Sequence, residues 1–107
     1  MSALTYAGQT FIFRVDNGVV FRNTYTADGT GLHYETIEGP AKGAQETVEL
    51  HAAEVVPGIF ILGWVERSGM TISHVMNLNT HTVHAFWTYD PGQGRTGELH
   101  TGTLSPA

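Results

Sequence analysis

The chain has no cysteine, which removes disulfide frameworks, thiolate metal sites and cysteine nucleophiles together. Positive charge is scarce too: Arg14, Arg22, Lys42, Arg67 and Arg95 are the only cations, against ten Asp and Glu. A net charge of −5 with no basic run argues against a nucleic-acid partner, because phosphate binding depends on clustered Lys and Arg. No apolar run approaches the ~20 residues of a membrane span. The opening Met1-Ser2-Ala3-Leu4-Thr5-Tyr6 lacks the charged and apolar regions of a signal peptide. No membrane partner and a cytoplasmic location are therefore the default expectations. The sequence also contains no Gly-rich phosphate loop, no Gly-x-Ser-x-Gly elbow and no His-Glu-x-x-His, so the common nucleotide, hydrolase and zinc-protease readings have no foothold.

Helical period is missing as well, and short β-like runs take its place, punctuated by turn residues. A length of 107 residues with 41% hydrophobic side chains suits one domain with one core. Strands are expected over residues 10–15, 19–26, 31–37, 45–52, 60–66, 70–78, 81–89 and 95–104, with residues 105–107 frayed. The pair Asn17-Gly18 predicts a two-residue hairpin, since both residues tolerate positive φ. Residues 45–52 carry the weakest pattern, but Thr47-Val48 and a place in a meander favour a strand. Eight short strands in series predict an all-β, eight-stranded antiparallel up-and-down barrel. At that size the interior holds packed side chains or one small ligand.

Residues 57–78 carry the chemistry. They read as two strands joined at Ser68-Gly69, and alternation places Phe60, Leu62, Trp64 and Glu66 on one face of the first. In the second, Met70, Ile72, His74, Met76 and Leu78 share a face. Each strand sets one ionisable group in an apolar row. Glu66 is either a solvated rim residue or an acid/base group whose pKa the row raises. His74 is either a hydrogen-bonded core histidine or a proton donor or acceptor toward a ligand. His81, His84 and His100 invite a metal site, but His81 and His84 are three apart on a strand and face opposite sides, a site from His74, His84 or Glu66 would need unusual geometry, and His33 and His51 read as solvent-facing. No metal or other cofactor is expected.

The segments GQTFIFRVDNGVVF and PGIFILGWVERSGMTISHVMNLNTHTV also resemble the calycin-type, lipocalin-like barrels of the MoaF-like group, where MoaF is molybdenum cofactor biosynthesis protein F, and of phenolic acid decarboxylase. The shared features are an aromatic first strand closed by Asn-Gly, the Trp64-x-Glu66 strand, and an apolar-alternating strand after a Gly turn. The resemblance spans about residues 8–104 as a single MoaF-like unit. It implies that Phe13, Phe21, Tyr34, Trp64, Glu66, Ile72, His74, Trp87 and Tyr89 point inward. Of the decarboxylase's catalytic groups only the glutamate is matched, by Glu66. Its two tyrosine positions fall on Phe13 and Val15, which cannot hydrogen-bond a carboxylate, and its arginine position falls near Gly43 and Ala44, beside Lys42.

These features together predict a barrel that binds a small apolar or aromatic molecule. Phe13, Phe21, Tyr34, Trp64, Ile72, Trp87 and Tyr89 are its expected ligand contacts. Glu66 and His74 are the candidate catalytic pair for a cofactor-free isomerase, cyclase or decarboxylase. The alternative is an accessory or structural domain with a packed interior that acts through a dimer surface. Inward Trp64 leaves Ile59, Ile61 and Val65 on the outer wall, so a homodimer is expected to cover them.

Overall fold

The computed structural model describes residues 4–107, so Met1, Ser2 and Ala3 of the leader reading lie outside the described residues. Nine strands form one antiparallel sheet: β1 (Thr10–Val15), β2 (Val20–Tyr25), β3 (Gly31–Glu38), β4 (Gln45–Glu49), β5 (His51–Val56), β6 (Ile59–Val65), β7 (Thr71–Asn77), β8 (Thr82–Tyr89) and β9 (Thr96–Pro106). Their order is β4-β3-β2-β1-β9-β8-β7-β6-β5. Among the described residues no helix is long and apolar enough to cross a membrane.

The ninth strand corrects the expected eight. Residues 45–52 do not run straight. Leu50, buried at a corner, divides them into β4, which pairs with β3, and β5, which pairs with β6. Because β4 and β5 are the two edges of the sheet, this one bent segment draws the edges together, and β4 passes close to β6. The barrel is nearly closed. A single-strand pattern could not show the corner, since Val48, Leu50 and Ala52 keep a period of two straight through it.

Both hairpin turns also differ from a two-residue loop. Asn17 has no positive φ; Gly18 alone takes it, at 88°. Val15 N–H donates to Val19 O at 3.0 Å and Gly18 N–H to Val15 O at 3.0 Å, which makes residues 16–18 a three-residue loop. The same pair of bonds recurs at Glu66–Met70 and Gly69–Glu66, both at 2.8 Å, with Gly69 at φ 90°. One glycine at the last loop position suffices for this turn. The C-terminal end is ordered as well: Pro106 pairs with Phe11, and Ala107 N–H donates to Thr10 O at 3.0 Å.

Aromatic and aliphatic side chains fill one end of the barrel. Tyr6, Tyr25, Leu32, Phe60 and Met76 are buried there. Tyr6, just before β1, plugs this end: its ring meets Tyr25 and Phe60 edge-on at 5.0 and 5.2 Å, and its hydroxyl donates to Gly29 O at 2.8 Å. Such T-shaped contacts suit the ring quadrupoles. The plug leaves the opposite end for the site.

Candidate functional site

Toward the open end the core gives way to a chamber of about 220 Å³. Its walls are Phe21 and Tyr34 from β2 and β3, Trp64 and Ile72 from β6 and β7, and Trp87 from β8. Glu66 and Met70 stand at the rim, opposite Ala41 and Ala44 of the loop between β3 and β4. Asn23, Thr36 and His74 complete the lining. The register explains why these residues meet. Trp64 pairs with Ile72, and Ile72 with Trp87, so three inward side chains lie at one level. Phe21 then closes the circle, edge-on to both Tyr34 at 6.4 Å and Trp87 at 6.2 Å.

Of the expected ligand contacts, the structure thus brings Phe21, Tyr34, Trp64, Ile72 and Trp87 together with Glu66 and His74. Phe13 is buried beside the chamber without lining it, its ring 5.6 Å from that of His74. Tyr89 is half-buried and lines a shallow depression that shares Met70 and Trp87 with the chamber, where its hydroxyl donates to Glu98. Strand alternation continues through Tyr89, but by then β8 has passed the chamber level.

Glu66 accepts the Trp64 indole N–H at 3.1 Å. Burial raises its pKa, and the nearby Glu46 charge adds to this, while bonds from Trp64 and Tyr34 pull the other way. Glu46, which sequence reasoning passed over, belongs to this group. It accepts the Tyr34 hydroxyl at 3.2 Å and the Arg67 N–H at 2.8 Å. Tyr34 lies between the two carboxylates, and burial followed by the Glu66 and Glu46 charges raises its pKa. Two neighbouring carboxylates favour retention of a proton, which acts on Glu66 in the same direction as its burial.

His74 is placed differently. It pairs with Leu62, one pair of inward residues deeper than Trp64, and Trp64 stands between it and Glu66, with the Trp64 and His74 rings 4.9 Å apart. Burial lowers its pKa to about 4, so the imidazole is neutral near pH 7. Glu66 and His74 thus address two depths of one chamber rather than each other.

The remaining histidines lie elsewhere. His33 bonds Thr47 and Gln45 on the β3–β4 surface, and His51, His81 and His84 are exposed. His100 is the unexpected one. Its ring packs against that of Trp87 at 4.2 Å with a tilt of 42°, with Nδ1 2.7 Å from Asp16 and Nε2 2.8 Å from Glu98. Burial pulls its pKa down, but the bonds to the two carboxylates outweigh burial and leave it raised. No local pattern announces this: Asp16 and His100 are far apart in sequence and meet only because β1 pairs with β9.

Comparison with known proteins agrees with this architecture. A crystal structure from Burkholderia vietnamiensis, provisionally described as a beta-lactamase, superimposes with a TM-score of 0.89 at 25% identity, over 100% of each chain. No curated protein matches the chain. The MoaF-like family profile matches residues 7–103. With a nearly closed antiparallel barrel and a match over almost its whole length, the chain belongs to the MoaF-like family.

Proposed function

We propose that this barrel binds a small apolar or aromatic molecule in its chamber, with Glu66 placed for cofactor-free acid/base chemistry on it. The observation that carries this reading is the apolar chamber of about 220 Å³ beside a half-buried carboxylate of raised pKa. A cavity of ~150 Å³ lined by apolar side chains takes benzene, so this one suits a substituted single ring. Trp64 and Trp87 wall it on two sides and offer faces for stacking. Proton transfer at the rim fits an isomerisation, cyclisation or decarboxylation. A beta-lactamase reading, which the Burkholderia protein's description would suggest, finds no support: neither a serine nor a lysine lines the chamber, and the Ser-x-x-Lys spacing is absent from the sequence.

The test is titration of the protein with single-ring aromatic compounds, followed by tryptophan emission and by native mass spectrometry of the purified protein. Binding with quenched emission, weakened in Trp87→Ala, is the expected result. No binding by any apolar compound, with no co-purified molecule, would reject it.

A second reading is favoured by the outer wall, where the accessory role through a dimer would lie. Val65 and Leu99 are 65% and 67% exposed, and Ile61, Val75 and Phe86 are exposed beside them on β6, β7 and β8. Ile61 pairs with Val75, and Phe86 with Leu99, while Val75 faces His84 and Phe86 faces Ser73, so apolar pairs alternate with polar residues along this outer band. Ile59, expected with them, is half-buried. Sedimentation at micromolar concentration decides: a dimer that Val65→Lys converts to monomer supports pairing of this band with its copy, and a monomer from the start dismisses it.

A further inference from the structure

Among the described residues, two buried side-chain atoms have no hydrogen-bond partner within the protein, Asn23 Oδ1 and His74 Nδ1. Asn23 is 3% exposed and His74 7%, and both line the same chamber. The register puts them at its floor. Asn23 lies between Phe21 of the wall and Tyr25 of the packed end, and His74 between Ile72 of the wall and Met76 of the packed end. A buried polar group left unpaired costs about 1–3 kcal/mol. An apolar pair of similar shape, such as Leu and Phe, would avoid that cost, so polar groups here point to something that enters and bonds them.

We propose that the chamber selects a neutral, hydroxylated single-ring molecule, seated with its hydroxyl end down on the Asn23–His74 floor. The proposal rests on the ligand-binding reading and sharpens it. The amide oxygen of Asn23 only accepts, so the occupant must bring a donor. A hydroxyl has one proton, which goes to Asn23 Oδ1, so its oxygen completes the pair by accepting from His74 when Nδ1 carries the imidazole hydrogen. A carbonyl could not satisfy Asn23, and an ammonium could not answer a donating Nδ1. Charge narrows the class further. The chamber lining includes Glu66 and no Lys or Arg, and Glu46 stands behind Tyr34. A carboxylate on the ligand would meet the Glu66 carboxyl at the rim with no cation in the lining to balance it. The chamber volume limits the molecule to one ring with small substituents. The rest of the ring then lies against Phe21, Trp64 and Trp87, with its outer end below Glu66.

Matched probes test this: 4-ethylphenol, 4-ethyltoluene and 4-ethylbenzoate, titrated by calorimetry into the unaltered protein and into Asn23→Leu/His74→Phe. The unaltered protein is expected to favour the phenol over the hydrocarbon, with the benzoate weakest. In the double variant the phenol-to-hydrocarbon affinity ratio should fall by roughly tenfold or more, the scale of two lost hydrogen bonds. An unchanged ratio, or benzoate as the tightest probe, overturns the inference while leaving a ligand-binding chamber in place. Failure of all three probes instead removes the ligand-binding reading, and the inference with it. Should the double variant not fold, nitrogen NMR of His74 in the unaltered protein decides: the phenol shifts the Nδ1 resonance and the hydrocarbon does not, and equal shifts count against the floor.

Discussion

At the scale of single residues, Glu66 and His74 titrate with opposite consequences. Glu66 has a folded pKa above its unfolded value. Its protonated form is the favoured one, so its contribution to stability is present at low pH and is lost as pH rises through the folded pKa. Glu66→Gln should therefore raise the melting temperature at pH 7 and leave it nearly unchanged at pH 4. Lower melting temperatures at both pH values would show that the carboxylate is a structural anchor. His74 is held neutral, with a pKa lowered from 6.5 to about 4. The unfolded chain takes up that proton first, so the stability present above pH 6.5 drains away as pH falls toward 4, by up to ~3 kcal/mol. His74→Phe should flatten that acid limb in denaturant titrations run across the window. An unaltered limb would place the loss on the carboxylates.

At the scale of elements, closure between β1 and β9 governs whether the site exists, because it joins the two halves of the sheet. The contact is close. A Cβ on Gly102 would lie 2.4 Å from Arg14 O, a backbone atom that cannot step aside without breaking the ladder. On the same strand, a Cβ on Gly97 would meet the Phe86 ring at 2.7 Å, and that exposed ring can turn away. Gly102→Ala is therefore expected to lower the melting temperature well beyond Gly97→Ala, as thermal melts of the two variants would show. The reverse order would mean that the β1–β9 seam tolerates opening. The seam also carries the Asp16–His100–Glu98 group that packs against Trp87, so a loosened seam should also shift that chamber wall.

At the scale of the whole molecule, the barrel has one plugged end and one open end. Tyr6 is wholly buried, 0% exposed, with three aromatic or backbone partners. Its removal leaves a ring-sized void, and aromatic-to-alanine changes in such places cost about 3–5 kcal/mol. Tyr6→Ala should cost that much in urea unfolding, while apolar ligands still enter from the Glu66 rim. If Tyr6→Ala leaves stability intact, the segment before β1 is not part of the core.

The division between sequence and structure follows from the range of the forces involved. Alternation and turn residues are local, and they determined the all-β class, most strand positions and the isolation of Glu66 and His74 in apolar rows. They could not choose a face for β6, because Ile59, Ile61 and Val65 are as apolar as Phe60, Leu62 and Trp64; the resemblance made that choice, and the burial pattern agrees with it. The corner at Leu50, the Tyr6 plug, the Glu46–Tyr34–Glu66 group and the doubly bonded His100 were settled only in three dimensions. Each depends on which strands meet across the barrel, and none leaves a mark on its neighbours in sequence. Asn23 is the clearest case. In VFRNTY it is one polar residue among several on β2, and only the closed barrel turns its amide oxygen into an unpartnered acceptor at the floor of an apolar chamber.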